Sequence, residues 1–244
     1  MYSFGPIAFL VGIAYAVITL LIDFLTPLTG AGAAPALAIV VLTVVVRAAL
    51  IPVGRSQVRA EYVRRRLAPK LTELRRRHKN NPQRLQEATV RLYREEGTSP
   101  LAGCLPALLQ APVFIAVYGL FLSTTIDGEA NHLLSAPLGG VALGDRLPDV
   151  LGDPAAVALF AGLTVVLAAV GWFQRRTTPA PVEPEGAGAD TMVRLTRYLP
   201  FLVLLAVPVV PLAAVVYLAT TTTWTVVERV TLRRLLRPRM CRSA

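Results

Sequence analysis

A single arginine constrains this chain more than any other residue. Arg47 lies inside residues 36–54, ALAIVVLTVVVRAALIPVG, between Val45, Val46, Ala48 and Leu50. A bilayer core of about 30 Å is crossed by roughly 20 apolar residues rising about 1.5 Å each, and this run is just long enough. Helical rise puts Arg47 roughly 12 Å inside the basic flank that opens at Arg55. Two readings stay open. The long stem can snorkel toward the headgroups, or the permanent charge can sit in a water-filled groove. A central arginine costs roughly 2.5 to 3.5 kcal/mol on insertion scales, which one otherwise apolar helix can absorb.

The rest of the chain is built to match. Of its 244 residues 54% are hydrophobic and only 16% charged, with a mean hydropathy of +0.56. That is too apolar for a soluble domain and implies an all-α polytopic membrane protein. The formal charge of +10 is nearly all arginine, since Lys70 and Lys79 are the only lysines, and it falls between the apolar runs. Such clusters suit anionic lipid headgroups or an RNA-rich partner. Cys104 and Cys241 have neither metal-ligand spacing nor a disulfide framework, so no metal or cofactor is expected. There is no phosphate-binding glycine loop, no Ser/His/Asp set and no paired acid, which argues against an enzyme.

In chain order, residues 5–28 form an apolar run without the basic start of a secretory signal, diluted by Tyr15, Thr19, Asp23 and Pro27. It either lies along the interface or makes a sixth span. The Arg47 span (36–54) leads into residues 55–98, which carry the triplets Arg64, Arg65, Arg66 and Arg75, Arg76, Arg77. The positive-inside rule makes that segment cytoplasmic. Val63, Leu67, Leu71 and Leu74 recur at helical spacing, as do Leu85, Ala88 and Leu92. Asn81 as N-cap and Pro82 as first residue start a second helix, and Pro69 should kink the first. The result is a basic helical hairpin with facing apolar stripes. A second span (100–122), an acidic extracytoplasmic loop (123–153) and a third span (154–173) follow. A flexible cytoplasmic linker (174–191) leads to a closing pair of spans (192–208 and 211–231) that turns at Pro208 and Pro211, and a basic cytoplasmic tail (232–244) ends the chain. Five core spans satisfy the charge of every loop.

Polar residues gather at one depth. Tyr217, Thr220, Thr221 and Trp224 fall at i, i+3, i+4 and i+7, giving one hydroxyl and aromatic face to the last span. Thr43 precedes Arg47 by four and shares its side of the helix, and Gln110 lies several residues inside the second span. These residues are either interhelical glue or the lining of a wet concavity in the cytoplasmic half of the membrane.

The order of LTVVVRAALIP, the basic hairpin, SPLAGCLPALLQAPVFIAVY, and then YLP with a proline hairpin and PLAAVVYL resembles the YidC/Oxa membrane protein insertase family over roughly Ala36 to Arg234. The short amino-terminal part is similar to the Gram-positive-type short form, although no lipobox cysteine occurs, and this similarity favours an interfacial amino-terminal helix. Departures from the family pattern are Ser99 before the proline of the second span, Leu212 and Ala213 in place of a glycine, and a threonine run where Ser-Asn is usual. They leave room for a specialised paralogue.

The resemblance implies a chaperone-like insertase in the plasma membrane. Short polar tails of nascent membrane-protein clients would enter a hydrated groove formed by Thr43, Arg47, Gln110, Tyr217, Thr220, Thr221 and Trp224, and their apolar segments would slide into lipid without nucleotide. The hairpin arginines would meet the client or the ribosome, and a Sec translocon and targeting receptor become candidate partners. DNA does not. A secondary transporter or channel is the competing class, but no midplane carboxylate or internal repeat supports it. A scaffold that merely binds anionic lipid is a third.

Overall fold

The structure is a computed structural model that describes residues 5–97, 115–126, 128–177 and 198–240. It is all-α apart from two minimal hairpins. Helix α1 (Gly5–Thr29) turns at Gly30, whose φ of +80° suits glycine, into α2 (Ala34–Ala49). The two pack through Val11 and Ile18 against Ala38, Ile39 and Leu42, while Phe9, Leu20, Phe24 and Leu28 make a largely apolar outer face on α1, interrupted by the exposed Thr19 and Asp23. A stripe of that kind suits lipid rather than water.

The helix carrying Arg47 stops sooner than the sequence suggests. After Ala49 the axis bends by 57° and restarts as α3 (Ile51–Arg77). Pro52 explains the break, because it has no amide hydrogen to donate and its ring opposes the carbonyl one turn back. Leu50 then accepts from Val53 (2.9 Å) and Gly54 (3.1 Å) to begin the new helix. Helix α3 runs without interruption through Pro69 and, after a turn at His78, is followed by α4 (Pro82–Glu95). The expected cap is present, with Asn81 accepting from the Arg84 amide at 3.0 Å. Between α3 and α4 lies a cleft of about 930 Å³, floored by Leu74, Ala88 and Leu92 and edged by Lys70, Arg77, Arg84 and Arg91.

The described helical part of the second span, α5 (115–122), buries Leu120 and Phe121 in the core. Beyond it β1 (Thr125–Ile126) pairs with β2 (Glu129–Ala130), a single turn α6 (His132–Ser135) follows, and β3 (Pro137–Leu138) pairs with β4 (Val141–Ala142). Asn131 is the buried knot of this segment. Its amide donates to the carbonyls of Leu120 (2.8 Å) and Ser123 (2.9 Å), and its side-chain oxygen accepts from Leu133 N.

Helix α7 (Pro154–Thr177) is long and apolar and ends in Arg175 and Arg176, which lie over the rings of Tyr198 (5.0 Å) and Trp172 (4.0 Å). Within the stretch 192–208 the described residues form a 3-10 helix, Leu199–Leu205, rather than an α-helix, and the chain reverses just before Pro211. Helix α8 (Leu212–Met240) continues well past residue 231, so the described part of the expected basic tail is helical. Its first amides are satisfied by the polar segment, Leu212 N donating to Asp145 O (2.9 Å) and Ala213 N to Leu143 O (2.8 Å). At the far end Leu232 and Leu236 pack on Val58 and Tyr62 of α3.

By length and composition α1 (Ala8–Thr29) and α7 can each cross a bilayer, and α2 with α3 forms a third crossing if the bent pair is taken as one. Most of the expected second span, with Gln110, and residues 192–197 lie outside the described residues.

Candidate functional site

Arg47 occupies the last turn of α2, where the helix dipole favours a cation. It is half-buried, and its Nε donates to Thr221 Oγ1 at 2.8 Å while Nη2 reaches the same oxygen. Thr221 lies on α8, itself buried, and Tyr217 sits one turn above it, within the field of Arg47. The Tyr217 ring is tilted against Phe121 with centroids 6.0 Å apart. Among the described residues no carboxylate forms an ion pair with Arg47. A neutral hydroxyl therefore orients the guanidinium without cancelling its charge.

Below the guanidinium is a small cleft of about 30 Å³, room for one or two waters. Leu50, Val53, Gly54 and Gln57 form one wall, and Thr225, Glu228, Arg229 and Leu232 form the other. Gly54 lets the walls approach, since a methyl group there would collide with the Glu228 carboxylate. Glu228 Oε2 accepts from Trp224 Nε1 at 3.0 Å. One turn further along α8, Arg233 ties three helices together, with Nη2 bonded to both oxygens of Glu61 (3.0 Å) and Nη1 to the carbonyl of Thr177 (2.6 Å). This strut fixes the base of α3 against α7 and α8.

The residues expected to share a site separate into groups. Arg47, Tyr217 and Thr221 come together. Thr43 is buried one turn from Arg47, but its hydroxyl is given to the Ile39 carbonyl at 2.7 Å. Thr220 likewise donates to Val216 O (2.9 Å). Trp224 reaches the cleft only through Glu228. Gln110 lies outside the described residues. Sequence reasoning missed Gly54, Gln57, Thr225, Glu228 and Arg229. Thr221, Thr225, Glu228 and Leu232 recur at i, i+4, i+7 and i+11, a spacing that could have signalled the last of these faces.

On the hairpin, Arg66 and Lys70 (2.7 Å) both bond Glu96, joining α3 to the end of α4. Arg65 pairs with Glu61, and Arg76 (3.0 Å) and Arg77 (2.7 Å) with Glu73. Arg64 and Arg75 are exposed. The described residues contain no group of three or more His, Cys, Asp or Glu placed to hold a metal.

An arginine at the end of a broken span, oriented by a threonine of the closing helix, stands in a chain whose residues 25–239 match the family described as 60Kd inner membrane protein. The chain belongs to this family. Among curated relatives, the chain is 35% identical over 162 residues to the membrane protein insertase YidC of Aquifex aeolicus, covering 66% of this chain and 29% of that one. It is 27% identical over 208 residues to the protein of the same name from Pelagibacter ubique, covering 81% and 35%. With that of Haemophilus influenzae it shares 43% identity over 104 residues, covering 43% and 18%. The chain thus spans at most about a third of the length of these relatives. Family membership and the apolar helices make it a membrane protein.

Proposed function

We propose that this chain is a membrane protein insertase. It takes short polar tails of nascent membrane-protein clients into the hydrated groove beside Arg47 and releases their apolar segments sideways into the bilayer, without nucleotide hydrolysis. The observation that carries the reading is the state of Arg47, half-buried, bonded to a hydroxyl and with no ion pair among the described residues. A fixed charge held beside a small polar cleft draws in water and lowers the cost of bringing a polar tail to that depth. Once the tail has entered, each central Leu, Ile, Val or Phe of the client gains roughly 0.3 to 0.6 kcal/mol on partition into lipid. The relatives' name, membrane protein insertase, supports this reading.

The basic end, with the hairpin and the carboxyl terminus, faces the cytoplasm in this reading, where the hairpin meets the ribosome, a Sec translocon or a targeting receptor and anionic lipid flanks it. Reconstitution tests the reading. Purified protein in liposomes is expected to insert a small single-span client above the level of empty liposomes. Arg47→Ala should lower that gain by about ten-fold, the effect of one charge contact in a partly screened site, and Arg47→Lys should restore part of it. Equal insertion with and without protein, or by Arg47→Ala and wild type, overturns the reading.

A further inference from the structure

Helix α7 ends in a group of side chains that the Arg47 site does not use. Arg176 Cζ stands 4.0 Å from the centre of the Trp172 ring, and Arg175 Cζ 5.0 Å from that of Tyr198. A guanidinium over a ring is held through its face, so its N–H edge stays free, and the ring is neutral, so the charge stays whole. Neither arginine has a hydrogen bond or an ion pair among the described residues. Both cations stand at an apolar rim. Trp172, Phe173 and Tyr198 are exposed, and from Trp172 back along α7 the exposed face continues through Ala169, Val165 and Gly162 at helical spacing. At Gly162 an added Cβ would meet nothing within 4 Å. The helical rise from Gly162 to Trp172 is about 15 Å, half the thickness of a hydrocarbon core. Arg233, bonded to the Thr177 carbonyl and to Glu61, ties this rim to α3 on the basic side of the molecule.

From this arrangement we infer that the basic end of α7 is a binding site for an anionic phospholipid. The lipid phosphate takes the free edges of Arg175 and Arg176, and an acyl chain lies along Trp172, Ala169 and Val165 toward the open flank at Gly162. Guanidinium and phosphate are matched in charge and in the spacing of donors and acceptors. The rings hold both guanidinium groups in place before the lipid arrives, which lowers the ordering cost of binding. A free phosphate ion would meet the same two charges but would leave the apolar flank unused. A zwitterionic lipid would bring an ammonium group toward two cations, with no carboxylate bonded to either of them to offset the repulsion. The site is separate from the Arg47 cleft and holds whether or not the chain inserts clients.

Trp172 reports on this site directly. The chain has two tryptophans, so Trp224→Phe leaves Trp172 as the sole one, and every protein compared shares that background. The full chain is reconstituted in phosphatidylcholine with increasing amounts of phosphatidylglycerol or phosphatidylcholine brominated on the acyl chains, which quench the indole on contact. The readout is the ratio of the two apparent affinities at Trp172. It should favour phosphatidylglycerol by about five- to twenty-fold, at about five-fold for each arginine beside an anionic headgroup. Arg175→Gln combined with Arg176→Gln should bring the ratio to about one, with each single variant in between. Arg64→Gln combined with Arg75→Gln removes the same charge from exposed positions on the hairpin and should leave the ratio unchanged.

A ratio near one with both arginines present overturns the site, and so does a ratio that the Arg175/Arg176 variant retains or that the hairpin variant lowers equally. A preference that excess inorganic phosphate abolishes assigns the arginines to the free ion and overturns the lipid. If the double variant does not fold, the ratio with both arginines present and that of Arg176→Gln decide.

Discussion

Thr221 supplies the oxygen that both Nε and Nη2 of Arg47 reach, and its hydroxyl is buried. Thr221→Val keeps the volume and removes the acceptor. It should cost about 1 to 3 kcal/mol through the unsatisfied guanidinium hydrogens, seen as a lower melting temperature in detergent, together with reduced insertion in the liposome assay. Asn131 makes a contrasting test. It too is buried and bonds three backbone groups, but at the opposite end of α8 from the cleft. Asn131→Ala should lower the melting temperature by a similar free energy while leaving client insertion per folded protein unchanged in the liposome assay. Arg47, Tyr217 and Thr221 were legible in the sequence because a charge and hydroxyls within apolar helices are conspicuous. Glu228 was not, because a carboxylate near a segment end reads as an ordinary flank. Only the approach of α3 at Gly54, a long-range contact that no periodicity encodes, turns it toward Arg47.

At the scale of elements, the hairpin is closed by charge as well as by its leucines. Hydrogen bonds from Lys70 and then Arg66, which cross from α3 to the end of α4, hold the Glu96 carboxyl below the ordinary carboxylate range; Arg76 and then Arg77 do the same for Glu73, but within α3 alone. A depressed pKa means the stabilisation is complete above the unfolded value and lost as the pH falls through the folded one. Spin-label distances between α3 and α4 should therefore stay constant while the pH is above the ordinary carboxylate range and widen once it falls below that range and Glu96 is protonated, whereas Glu96→Gln should widen them at neutral pH. The helical hairpin itself was readable from the Asn81-Pro82 start and the spaced leucines. The break at Leu50 was not, because Pro52 is compatible with both a kinked span and a new helix, and packing on α8 decides between them. The helical part of the tail was masked by its arginines, although Leu232 and Leu236 stand one turn apart and face Val58.

For the whole molecule, the all-α membrane architecture followed from composition and charge alone, while the placement of α1 required the fold. Its apolar face, Phe9, Leu20, Phe24 and Leu28, is exposed from one end of the helix to the other. In a background lacking Cys104 and Cys241, a cysteine at Leu20 should resist membrane-impermeant maleimide. A cysteine at Lys79 should be labelled only from the cytoplasmic side, and one at Gly139 only from the other. Labelling of Lys79 and Gly139 from the same side would contradict the topology.

The 57° elbow after α2 means that one rigid rod does two jobs. The first turns of α3 wall the Arg47 cleft, and the same helix continues to the tip of the hairpin, about 40 Å away for its 27 residues. Pro52 sets the bend, and Arg233 holds the same helix at Glu61, between the cleft wall and the tip. The inner wall of the cleft and the outer arm of the hairpin are thus two parts of one continuous helix.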